Sequence, residues 1–87
     1  ELYRLVSQMC RAAYSVPMNI AEGNAKRSKK EKARYSEIAL GSLEELHYQC
    51  LLARDLQYID TEKFQEAEDK VCRTSYLITK LRASFSQ

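Results

Sequence analysis

The most suggestive short run in this chain is Glu44-Glu45-Leu46-His47, which places the sequence's one histidine three residues after a glutamate. On a helix that spacing puts Glu44 and His47 on one face, the arrangement by which carboxylate di-iron bundles hold metal. Such a centre needs a second Glu-x-x-His and two further glutamates, which only a two-fold dimer could supply. No metal site is therefore expected, and His47 reads as a surface or interface histidine. Glu37 and Glu44 lie two turns apart, about 10 Å along a helix axis, so they read as salt-bridge partners rather than an acid/base pair. A single histidine leaves little for a Cys-His or Ser-His-Asp set. Gly23 and Gly41 are the only glycines and form no phosphate-cradling loop. No catalytic residue and no cofactor are expected, and no small-molecule substrate is evident.

Charge is more informative. Lys26, Arg27, Lys29, Lys30, Lys32 and Arg34 stand against one acid, Glu31, a local net charge of +5. The rest of the chain holds eight basic and eleven acidic residues, so the overall +2 conceals an uneven distribution. A block of this kind is the usual electrostatic footprint for phosphate. The same block also reads as a solvated loop that keeps the protein soluble. Tyr35 follows it, and Arg11 and Tyr14 stand upstream, a basic and aromatic mixture suited to backbone contact and base stacking. No recognition-helix, RNP or zinc-finger motif accompanies it, so binding without sequence readout is the corresponding expectation.

The elements that must position these residues are helices. Hydrophobic residues at 45% and charged residues at 30% suit one soluble globular domain spanning residues 1–87. Two glycines and one proline exclude a turn-rich β-sandwich. No apolar run approaches the ~18 residues of a membrane span, and no charged-then-apolar leader opens the chain. The sequence begins at Glu1 without methionine, so residues upstream are expected to be missing. Cys10, Cys50 and Cys72 are odd in number and widely spaced, which fits neither a metal site nor a disulfide framework. Each falls on or beside an apolar stripe as a small hydrophobe, and a reducing cytoplasm is the expected location.

Apolar residues at three- and four-residue steps predict helices over about 2–22, 29–56 and 61–84. In the first, Leu2, Leu5, Met9, Ala12, Val16 and Ile20 form one stripe, and Tyr3, Val6, Cys10, Ala13 and Tyr14 a second beside it. Pro17 predicts a kink there, with Asn19 and Glu22 satisfying the freed backbone. Gly23 predicts a left-handed cap. Ser28 and Glu31 have capping-box spacing, although three bases in that first turn oppose the helix dipole. Gly41, in mid-helix, predicts a close helix–helix approach. Asp60 or Thr61 caps the third helix, whose Phe64, Ala67, Val71, Thr74, Ile78, Leu81 and Phe85 follow a heptad seam. Short connections predict an up-down antiparallel bundle. The first two helices show more apolar surface than two neighbours cover, which predicts both a further helix upstream and cover by other subunits.

The run Arg11-Ala12-Ala13-Tyr14-Ser15-Val16-Pro17-Met18-Asn19-Ile20-Ala21-Glu22-Gly23 resembles a signature of the bacterial four-helix-bundle proteins associated with 23S rRNA intervening sequences. Glu37 to Leu46 and Leu51 to Leu56 fit the same family. The resemblance covers essentially the whole chain and implies an all-α, left-handed four-helix bundle. Family members carry one helix before the position of Glu1, so three helices are expected here. It also implies a homopentameric ring without enzymatic activity and suggests an RNA connection. A related bundle is the accessory variability protein of diversity-generating retroelements, a basic pentamer that partners a reverse transcriptase and nucleic acid. Pro17, Asn19, Glu22 and Gly23 match the first motif, and Gly41, Ser42 and Glu45 the second; all are expected to determine fold and assembly.

The expected function is thus that of a non-enzymatic homo-oligomer whose Lys26, Arg27, Lys29, Lys30, Lys32, Arg34 and, more weakly, Arg11 engage RNA or DNA backbone. The alternative is a protein-interaction scaffold, for example an accessory to a reverse transcriptase, with no direct nucleic-acid contact.

Overall fold

The computed structural model describes residues 1–86 and shows an all-α bundle of three helices. Gln87, at the edge of the predicted domain, lies outside the described residues. Helix α1 spans Leu2–Asn24, α2 Lys29–Asp55 and α3 Thr61–Ser84. Helix α2 is central. Both α1 and α3 pack along it, and they do not pack against each other. The principal extents of 44 × 22 × 13 Å reflect this, because three mutually touching helices would have a nearly round cross-section. Cross-links show the antiparallel order: Ser15 bonds Ser42 and Gly23 meets Tyr35 between α1 and α2, while Glu37 pairs with Arg82 and His47 with Glu68 between α2 and α3.

The core lies along the inner face of α2, where α1 and α3 each pack on it. Val16 of α1, Ala39 and Leu43 of α2 and Ile78 of α3 form its buried cluster, flanked by Ile20, Leu40 and Val71. These are the stripes the periodicity predicts. The second stripe of α1 has no cover: Tyr3, Val6, Cys10, Ala13 and Tyr14 are all exposed, Tyr3 at 88%. Of the three cysteines only Cys50 acts as a core hydrophobe, and burial pushes its thiol pKa up. Cys10 and Cys72 are exposed, because Cys10 belongs to the uncovered stripe and Cys72 lies one step off the α3 seam.

The caps follow the sequence at two of three sites. Glu31 donates its backbone N–H to Ser28 Oγ at 3.0 Å. The reciprocal half differs from a full capping box, since the Glu31 carboxylate accepts from the Ser28 hydroxyl at 3.4 Å rather than from a backbone amide. Asp60 Oδ1 accepts from Lys63 N–H at 2.7 Å and opens α3.

Gly23 does not form the expected left-handed cap. No glycine has positive φ; α1 runs through Gly23 to Asn24 and ends at Ala25 in ordinary helical conformation. A Cβ on Gly23 would stand 2.8 Å from the Cβ of Tyr35, so the glycine serves the close approach of α1 to α2. The close approach expected at Gly41 is absent within the chain, where a Cβ would meet nothing within 4 Å. Among the described residues the left-handed one is Gln57, at φ 63°. Its N–H bonds Arg54 O and the Tyr58 N–H bonds Ala53 O, both at 2.9 Å, a Schellman closure of α2 without a glycine.

Pro17 lies inside an unbroken α1. Asn19 does not reach the carbonyl of Ala13 that the proline frees. Its Nδ2 donates instead to Ser15 O at 2.8 Å and to Ser15 Oγ at 3.0 Å, and Ser15 Oγ meets Ser42 Oγ at 2.7 Å. These three side chains knit α1 to α2 through a part-buried polar contact, which gives Asn19 and Ser42 a structural role.

Candidate nucleic-acid interface

Antiparallel packing collects the end of α1, the start of α2 and the end of α3 at one end of the molecule. The charge block occupies the α1–α2 connection, Ala25–Ser28, and the first two turns of α2. Its members divide by local chemistry. Lys32 extends back across the connection and donates from Nζ to Asn24 O at 3.0 Å, satisfying a terminal carbonyl of α1. Lys26 pairs with Glu22 at 3.5 Å and stands 5.4 Å from the centroid of the Tyr35 ring. Glu22 is therefore an ion-pair partner and not a support for the proline. Placing cations against the negative end of α1 offsets what they cost at the positive end of α2.

Arg27, Lys30 and Arg34 project from the same end, exposed and without an ion pair to any described residue. Lys29 is exposed beside them. Lys30 and Arg34 line a shallow cleft with Glu31, Glu37 and, from the end of α3, Phe85 and Ser86. Arg82 joins this end by holding Glu37 Oε1 from Nη2 at 2.8 Å and from Nε at 2.9 Å. Charge reading along the sequence missed Arg82 and Phe85. The signal that finds them is topological: two short connections return the last turn of α3 to the level where α2 begins.

Two expected members stand apart. Arg11 lies twelve residues before Gly23, about 18 Å along the helix axis, and shares a side groove with Tyr14, Met18 and Glu22. Tyr35 is half-buried under Gly23 and Lys26, so its ring is engaged in packing rather than offered to a base. The opposite end of the molecule carries the reverse charge, since Asp55 to Asp69 contain six acids and one base.

Glu37 and His47 face partners on α3, whereas Glu44, expected in a salt bridge, forms no ion pair with a described residue. Glu37 belongs to Arg82. His47 Nε2 faces Glu68 Oε2 at 3.6 Å across the α2–α3 groove, which Glu44 and Cys72 also line. Among the described residues no group of three or more His, Cys, Asp or Glu side chains could hold a metal ion. No described helix is long and apolar enough to cross a membrane.

The fold and this end define a class: a small all-α bundle with a concentrated cationic end. A family model described as 23S rRNA-intervening sequence protein matches residues 1–80, and the chain belongs to that family. No match was found among curated proteins.

Proposed function

We propose that this chain is a non-enzymatic, cytoplasmic homo-oligomer that binds the phosphate backbone of RNA, or of DNA, through its cationic end. The observation that carries this reading is that Arg27, Lys30 and Arg34 stand exposed at one end of the molecule without an ion pair to any described residue, Lys30 and Arg34 lining a cleft with Phe85 and Ser86 just past α3. Lys26, Lys29 and Lys32 add charge around it, and Arg11 lies too far along α1 to share one phosphate with them. The family's name, which refers to an rRNA intervening sequence, supports a link to RNA. The acidic far end favours approach by the basic end, because like charge repels phosphate there. The exposed stripe of α1 supports self-association, and a ring of five copies is the assembly that family resemblance implies. Such a ring would repeat the cationic end around one axis.

The test is binding of a mixed single-stranded RNA across a salt series, read by fluorescence anisotropy. Each phosphate contact contributes roughly 0.7 to the slope of log affinity against log salt for single strands and about 0.9 for duplex DNA. Arg27→Gln with Lys30→Gln should therefore lower the single-strand slope by about 1.4 and weaken binding at low salt. Affinity and slope unchanged by both substitutions would refute backbone binding at this end. In that event the apolar stripe of α1 becomes the active surface, and the protein is a scaffold whose partner binding resists salt.

A further inference from the structure

The outward face of α2 carries a second periodic stripe that the core does not use. Arg34, Ile38, Gly41, Glu45, Tyr48 and Leu52 follow one another at alternating steps of four and three, and all six are exposed. This is the spacing by which one helix lies along another. Ile38, Tyr48 and Leu52 are large apolar groups left 39%, 63% and 48% exposed. Among them stands Gly41, which lowers helix stability in mid-helix and has nothing within 4 Å to use the space it leaves.

The stripe is complementary to itself. Arg34 and Glu45 have opposite charges, form no ion pair with a described residue, and bracket Ile38 and Gly41 symmetrically. A second copy laid antiparallel, with a two-fold axis between positions 38 and 41, sets Ile38 of each over Gly41 of the other. The same axis sets Arg34 of each against Glu45 of the other, twice. Tyr48 then reaches the first turn of the second copy's α2. A knob, a notch and two ion pairs are satisfied by one operation, as an isologous contact requires.

We propose that α2 pairs through this face with the α2 of a second copy, antiparallel, with Ile38 seated at Gly41 and Arg34 paired with Glu45. The inference rests on the self-association in the proposed function and not on its nucleic-acid part. It leaves Arg27 and Lys30 as the exposed cations for phosphate. An isologous contact closes at two copies, whereas a five-membered ring is built by a different, head-to-tail face. Both occur in one particle if two rings meet back to back.

The experiment is the solution mass of the full chain by sedimentation, at several concentrations and moderate salt. Glu45→Arg and Arg34→Glu should each lower the mass about twofold, and the double exchange should restore it, because the ion pairs re-form reversed. Gly41→Leu should raise the melting temperature at a concentration too low for association, since the space within the chain is open, while lowering the mass at higher concentration because the notch is filled. If the original protein associates but no single substitution changes its mass, this face is refuted and self-association by another face stands. If it is monomeric at every concentration, both the pairing and the self-association are refuted. Dissociation by both single exchanges without recovery in the double refutes the Arg34–Glu45 register.

Discussion

The two connections between helices solve the same problem with opposite residues. The first follows a helix end that holds a glycine and has no left-handed backbone; the second contains left-handed backbone and no glycine. At the first, Gly23 is absorbed into α1 because Tyr35 presses within 2.8 Å of where its Cβ would be. At the second, Gln57 takes φ 63° to close α2 and turn the chain toward Asp60. Glycine is thus kept where side-chain volume is the obstacle, and dispensed with where the dihedral is. The charges differ in the same way. The first connection is basic and clamps its neighbouring helix end with lysines, while the second is acidic and caps the helix that follows with Asp60.

The sharpest way to break this comparison is at Gly23. In an ordinary helix Gly→Ala is favourable by up to about 1 kcal/mol. Here Gly23→Ala should reverse sign and destabilise by about 1–3 kcal/mol, as overpacking does, because the opposing atom is a Cβ that moves only with its backbone. Thermal or urea denaturation measures it. Tyr35→Ala, which keeps that Cβ, should leave much of the penalty in the double variant. A stabilised Gly23→Ala would mean that Tyr35 gives way to the added Cβ and that Gly23 is an ordinary helical position.

Gln57→Gly tests the other connection. A left-handed residue other than glycine costs roughly 1–2 kcal/mol, so the substitution should raise stability, by about 1 kcal/mol after the added freedom of the unfolded chain is counted. No gain would mean that the left-handed backbone at Gln57 carries no strain. Gly41→Ala extends the contrast to a glycine with neither constraint. With no neighbour within 4 Å, it should stabilise the isolated chain by about 0.5–1 kcal/mol, measured at a concentration too low for association.

Much of this was legible beforehand. The three helices, their inner stripes, the caps at Ser28 and Asp60 and the clustering of cations all follow from spacing and residue type. What was not legible depends on neighbours distant in sequence. Neither glycine announces whether volume or dihedral placed it, because that is decided by Tyr35 in one case and by open space in the other. The Ser15–Asn19–Ser42 contact required the register of α1 on α2. Arg82 and Phe85 joined the cationic end only through the return of α3, fifty residues after the block in which the charge pattern is visible. The division of the block itself, into lysines that close a helix and cations that project, was hidden because all six read alike as positive charge.

That division makes the smallest and most discriminating prediction. Lys32 donates to Asn24 O, so Lys32→Gln should remove a charge from the end of α1 and destabilise the chain by about 0.3–1 kcal/mol, less as salt is added. Arg27 has no such contact, and Arg27→Gln should leave stability within about 0.5 kcal/mol. For RNA the order should invert. Arg27→Gln should reduce the salt slope by close to one contact, while Lys32→Gln, whose ammonium is already engaged, should reduce it less. Melting curves and salt titrations on the same two variants measure both. Parallel effects on stability and binding would mean that the cations act as one undifferentiated field, and that the local contacts of the first connection do not select which of them meet phosphate.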